Sequence, residues 1–206
     1  MRFTDTIHTG RVTFLGVSPP ARRSDGPDYL ETQPCQQLTC DLEGLIGDRH
    51  HGLALSSGGR QKTLYARGTS IRNNRQWTAI SGEELAVIQD NLGITETVEA
   101  AHIGFNAQID GLGPITQLPA LTHLVFSPHA TFAPKRPEDV VWVVYAEVLP
   151  CEIAGSALAH RFHDPKLASA FPKASMSLRG CTGYVDKGGS IETGWYVHQL
   201  TPTYQD

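Results

Sequence analysis

The side chain best suited to chemistry in this sequence is Cys151, which follows Pro150 at the end of the apolar run Val140–Val148. A strand that ends at a proline leaves the thiol where a buried element emerges into a loop. The sheet then fixes its position and the loop keeps it accessible. A thiolate is a soft nucleophile and metal ligand, suited to carrying sulfane sulfur as a persulfide or to binding a soft metal such as molybdenum. The competing reading is a small buried hydrophobe, the ordinary state of an isolated cysteine. Nothing lifts Cys35, Cys40 or Cys181 above that reading.

Two polar groups stand beside Cys151 as candidates. Asp48, His50 and His51 form a D-x-H-H group between Gly47 and Gly52. Carboxylate and imidazole side chains bind transition metals, but two ligands on one short turn do not make a site. Taken alone, the same residues read as a hydrogen-bonded turn rather than a metal site, with the floor of an anion or cofactor pocket as the alternative. Arg67, Arg72, Asn73 and Arg75 lie in RGTSIRNNRQ, the one basic cluster of the chain. Guanidinium groups grip phosphate bidentately and Asn offers both donor and acceptor; a solvated loop is the alternative. Arg179, before Gly180, is a weaker candidate of the same kind. The G-x-S-x-G elbow, the phosphate-binding G-x-x-x-x-G-K-[ST] loop, the H-E-x-x-H helix and the dinucleotide fingerprint are all absent from the sequence.

The elements that must hold these residues are short. GRVTFLGV at 10–17 alternates as a strand and stops at Ser18-Pro19-Pro20. Residues 18–36 and 53–76 are polar and turn-rich and read as long loops, with a strand predicted at Leu38–Leu45 between them. Ser81-Gly-Glu-Glu has capping-box spacing, and Leu85, Ile88 and Leu92 share a face ahead of Gly93, which predicts a helix. Ile103–Ile109, His123–Phe126 and the β-branched run Val140–Tyr145 read as strands. Short helices are expected at Ser156–Phe162 and Lys166–Phe171. A hairpin turning at Lys187-Gly188-Gly189 and a last strand at Tyr196–Leu200 close the chain. The fold class is mainly β with a few short helices (α+β), in one domain with a core at roughly 10–200.

Composition narrows the function classes. Apolar residues make up 40% and charged residues 18% of 206, as in a soluble globular protein, and the 20 glycines and 13 prolines favour many short elements. A net charge of −4 opposes binding to a nucleic-acid backbone. Neither a leader-like apolar core at the start nor a membrane-length run occurs, and the four unevenly spaced cysteines read as reduced thiols, so a cytoplasmic location is expected.

The order of the motifs adds a resemblance. Gly47-Asp-Arg-His-His-Gly52, the RGTSIRNNRQ segment, the capped helix, Ile103-Gly-Phe-Asn-Ala107, Pro150-Cys151-Glu-Ile-Ala-Gly, and Arg179-Gly-Cys-Thr-Gly-Tyr-Val with Gly188-Gly-Ser-Ile191 together resemble a MOSC domain. That family is named for the C-terminal domain of molybdenum-cofactor sulfurase. The resemblance covers about Gly10 to Leu200 and implies a β-barrel-like fold with a pocket for the molybdenum cofactor (molybdopterin). It makes Cys151 the signature cysteine, a persulfide carrier or a molybdenum ligand. Asn106 then lies beside the pocket, with Arg67, Arg72, Asn73, Arg75, Asp48, His50 and Arg179 as cofactor-binding candidates. Gly194-Trp195 in place of the usual glycine-aspartate, and Ala107 in place of leucine, depart from the pattern. Three functions follow as alternatives: sulfur handling with bound cofactor, molybdenum-dependent reduction of N-hydroxylated compounds, or a non-catalytic cofactor-binding module. With no desulfurase domain expected before it, the partner is a separate cysteine desulfurase, which would carry the pyridoxal phosphate, or an electron-donor protein. The substrate is a small molecule, with no nucleic acid and no membrane involved.

Overall fold

A computed structural model of the chain describes residues 2–19 and 30–203; the middle of the expected 18–36 loop lies outside the described residues. The fold is mainly β, a closed seven-stranded barrel with three short helices. The barrel strands are β1 (His8–Val17), β2 (Trp77–Ile80), β3 (Ala107–Asp110), β4 (His123–Ser127), β5 (Val140–Glu147), β6 (Cys181–Lys187) and β7 (Tyr196–Leu200). Around the ring the order is β1, β3, β2, β6, β5, β4, β7 and back to β1. Each antiparallel neighbour reverses strand direction, so a closed ring of seven needs an odd number of parallel pairs. The parallel pair here is β2–β3, with Ala79 opposite Ala107. A parallel pair requires a crossover, and helix α1 (Gly82–Leu92) supplies it.

The α1 crossover forms where its residues predict. Ser81 Oγ accepts from the Glu84 amide at 3.1 Å, Glu84 Oε2 accepts from the Ser81 amide at 3.2 Å, and Gly93 ends the helix at φ 65°. Inside the barrel Trp77 stacks on Trp142 at 5.0 Å, with Phe126 tilted against Trp142 at 4.6 Å. Val140, Trp142 and Val144 point into this core and Val143 is buried on the other face, the two-sided burial expected of a β-branched central strand. A second apolar cluster lies outside the barrel. There Ile80, Ile88 and Phe105 meet helices α2 (Glu152–Arg161) and α3 (Leu167–Ala174). Gly155 lets α2 and α3 touch: a Cβ there would lie 2.4 Å from the Ala168 carbonyl oxygen.

Several local expectations are corrected by non-local pairing. The 181–192 segment is not a hairpin: β6 lies between β5 and β2, whereas Gly189–Glu192 pairs with Gln37–Asp41. The expected strand at Leu38–Leu45 divides into Gln37–Asp41 and Gly44–Leu45, which pair with each other across a tight turn. Residues 100–103 form a 3-10 turn, and β3 starts only at Ala107. The 53–76 loop is an arm, with Ala54–Ser56 paired to Ser70–Arg72. The helix expected at Ser156 begins at Glu152, directly after Cys151. Among the described residues no helix is long and apolar enough to cross a membrane.

Candidate functional site

The site lies on the outer face of β2. Trp77 and Ala79 point into the barrel, so Thr78 points outward. Over Thr78 opens a cavity of about 300 Å³, walled by Arg49 and His50, Arg75, the Ile103–Phe105 turn, Val148–Leu149, Cys151 and Arg179. These residues are scattered through the sequence and come together because β1, β2, β3 and β5 converge at this flank. Among the described residues, three guanidiniums and an imidazole line the cavity and no carboxylate does. Such a lining selects for an anion.

Cys151 is half-buried at the cavity wall and occupies the N-cap position of α2, with φ −143° and ψ 150°. Its side chain makes no capping hydrogen bond, so the sulfur is not spent on its own helix. The amides of the first helical turn and the arginines favour negative charge in the same space. The other thiols do not compete. Cys181 and Cys40 are buried, Cys35 is half-buried, none lines the cavity, and burial pushes all three thiols up in pKa.

Asp48 anchors the opposite wall. Its carboxylate accepts from the Ser18 amide at 2.8 Å, the His50 amide at 2.8 Å, His50 Nδ1 at 2.9 Å and Asn106 Nδ2 at 2.8 Å. Burial pushes this carboxyl up, but the bonds from His50 and Ser18 outweigh it and hold the pKa below its ordinary value. An ionised Asp48 only accepts, so neutral His50 carries its proton on Nδ1 and presents Nε2 as a base. Asn106 is buried behind this pair. It donates to Gly16 O at 3.1 Å, and its Oδ1 accepts from the Thr78 amide at 3.0 Å and from Thr78 Oγ1 at 3.1 Å. Asn106 therefore ties β1, β2 and Asp48 into one unit and is fully used in doing so.

The basic cluster divides. Arg75 faces the cavity, whereas Arg67 is exposed on the arm and lines no wall of it. Arg72 also points away, with its Nε donating to Asn74 at 3.1 Å and its guanidinium 5.3 Å from the Tyr184 ring. Asn73 is a brace. Its Nδ2 donates to His50 O at 2.7 Å and Gly52 O at 2.9 Å, and its Oδ1 accepts from the Arg75 amide at 3.0 Å. One side chain thus holds the His50 turn and Arg75 together. Arg179 is 3% exposed, with its guanidinium 5.0 Å from the Phe105 ring and 5.1 Å from the Phe171 ring. Arg49 and Thr78 belong to the lining and escape a motif search. Arg49 sits inside the Asp48–His50 turn, a signal overshadowed by its neighbours, while Thr78 is distinguished only by which way β2 faces. His51 bonds Asp41 at 3.1 Å and is not part of the lining.

Comparisons with known proteins agree with this arrangement at the level of fold. No protein-family model matches the chain. YuaD of Bacillus subtilis (strain 168) is 29% identical over 164 residues, spanning 79% of each protein. The crystal structure of Bacillus subtilis YuaD superposes with a TM-score of 0.83 at 25% identity, over 96% of this chain and 99% of that one. YiiM of Geobacillus stearothermophilus, at 15% identity, shares the fold with a TM-score of 0.51 over 92% of this chain and 74% of its own. The chain has the fold of YuaD, and that fold is consistent with a MOSC-type barrel.

Proposed function

We propose that this protein handles sulfur at Cys151, within a pocket that binds an anion. The observation that carries the reading is the placing of one partly accessible thiol in a cavity lined by Arg49, Arg75, Arg179 and His50 and, among the described residues, by no carboxylate. YuaD's name proposes a place for that protein in metal–sulfur cluster biosynthesis, which supports a general sulfur- and metal-related role. In the transfer, His50 Nε2 takes the Cys151 proton and the thiolate attacks the outer sulfur of a donor persulfide such as a cysteine desulfurase presents. The donor S–S bond breaks, its thiolate leaves with the proton, and Cys151 keeps the sulfane sulfur with no net oxidation or reduction. An acceptor nucleophile that attacks the outer sulfur regenerates Cys151. The arginines hold the negative charge that moves along the sulfur chain.

The same donors fit a molybdenum cofactor. Among the described residues no group of three or more His, Cys, Asp and Glu is arranged to hold a metal ion, so a metal would have to arrive with ligands of its own. Arg49, Arg75 and Arg179 suit a phosphate-bearing cofactor of that kind, and Cys151 would add a sulfur ligand. Bound there, the cofactor would supply redox and oxygen-atom chemistry at the metal. Intact masses after incubation with a cysteine desulfurase and cysteine test the sulfur reading. Wild type gains one sulfur and Cys151→Ala gains none; equal loading of the two overturns it. Metal analysis of freshly isolated protein tests the cofactor: molybdenum that co-purifies with wild type and is reduced in Arg75→Ala supports it, and metal-free wild type from a cofactor-replete host counts against it.

A further inference from the structure

A second hollow of about 350 Å³ adjoins the arginine cavity and shares Arg75, Val148 and Leu149 with it. The two have a common floor. Thr78 on β2 is directly opposite Thr182 on β6, and Thr182 is opposite Ala146 on β5. Residues directly opposite in a sheet face the same side, so Thr78, Thr182 and Ala146 form one row of small side chains. That row runs from beneath the arginines to beneath the second hollow. The walls differ in character: the second hollow is enclosed by Leu64 of the arm, 78% exposed, with Leu149 at 59% and Tyr145 at 50%. Single exposed hydrophobic residues are ordinary. Three that converge on one concavity, continuous with a cationic pocket, describe a place for the apolar part of an anion.

Resting on the sulfur reading above, we infer that the low-molecular-weight reactant exchanging sulfur with Cys151 is an organic anion with an apolar body. Its charged, sulfur-bearing end lies among Arg49, Arg75 and Arg179, and its body lies on the Thr182–Ala146 floor between Leu64, Tyr145 and Leu149. Glu147 at the rim of that hollow disfavours a second negative charge on the body. A compound of the class is an aryl thiosulfonate. Cys151 thiolate takes its outer sulfur, the sulfur–sulfur bond breaks, and the aryl sulfinate leaves with the bonding pair. The arginine cavity and the hollow each lie at the small end of the range for ligand sites, about 300–1,000 Å³, so a head and a body of modest size fill them together.

The test compares benzenethiosulfonate with methanethiosulfonate, two donors with one reactive group, by the rate of sulfinate release and by intact mass, with free cysteine as the reference for intrinsic reactivity. Wild type is expected to favour the benzene compound in the second-order rate of loading by about tenfold or more beyond that reference. The double variant Leu64→Ser/Tyr145→Ser should lose most of the preference and leave the methanethiosulfonate rate unchanged. Leu64 and Tyr145 are exposed, so the variant is expected to fold. A wild-type preference no greater than that of free cysteine, or a variant that slows both donors equally, overturns this inference alone. Failure of both donors to load Cys151 overturns the sulfur reading beneath it as well.

Discussion

At the scale of single residues, the account turns on a thiol that sits in positive potential without being tied down. Iodoacetate and iodoacetamide differ in charge and attack the same sulfur. The Arg49–Arg75–Arg179 lining should therefore raise the rate with the anionic reagent relative to the neutral one, well above the ratio for free cysteine. Inorganic phosphate should protect Cys151, and Arg75→Ala should lower the iodoacetate rate about tenfold. Alkylation kinetics read by mass spectrometry check all three. Asp48 carries the second residue-scale prediction. Asp48→Ala leaves buried donors from Ser18, His50 and Asn106 unpaired and should cost about 2–4 kcal/mol in denaturant unfolding. The pH dependence follows from its lowered pKa. A carboxyl that ionises more readily folded than unfolded stabilises the protein above its unfolded value, near 4, and that contribution fades as pH falls through the lower folded value. The stability gap between wild type and Asp48→Asn should therefore be widest near neutrality and shrink in acid; a gap independent of pH contradicts the assignment.

At the scale of elements, α2 and the 53–76 arm do the positioning. Gly155→Ala forces a methyl group toward the Ala168 carbonyl and should cost about 1–3 kcal/mol in thermal unfolding. Because Cys151 occupies the N-cap position of the same helix, its alkylation rate should change as well. What a sequence can show of this design is what local chemistry encodes. The Ser81–Glu84 capping box, the β-branched run at Val140 and the proline before Cys151 each signal their element without help from elsewhere. The false hairpin at 181–192 arose because Lys187-Gly188-Gly189 has turn composition. Gly188 is there for a different reason: a Cβ would lie 2.6 Å from the Cys40 carbonyl, on a strand far away in sequence. The division of the basic cluster was equally hidden. Arg67, Arg72 and Arg75 are alike as letters, and the bonds from Asn73 to His50 and Gly52 and from the Arg75 amide to Asn73 hold the Arg75 backbone against the His50 turn.

At the scale of the molecule, the barrel interior and the outer helical cluster are two cores with the site against the second. Phe171 is fully buried in the outer cluster and supports the Arg179 guanidinium; Ile191 is fully buried in the barrel. Truncating either to Ala should cost about 2–5 kcal/mol. Only Phe171→Ala should also weaken phosphate binding, measured by calorimetry at a temperature where both variants are folded; equal loss in both would mean that the site depends on the whole fold and not on its outer layer. The claim beneath all of this is that sulfur is received at Cys151 inside the arginine cavity. Its most direct measurement is the rate at which a desulfurase loads sulfur onto the protein, mapped by peptide mass spectrometry with and without competing phosphate. The account predicts sulfur on the peptide bearing Cys151 alone, slowed by phosphate. Sulfur on Cys35, or loading indifferent to phosphate, would contradict it.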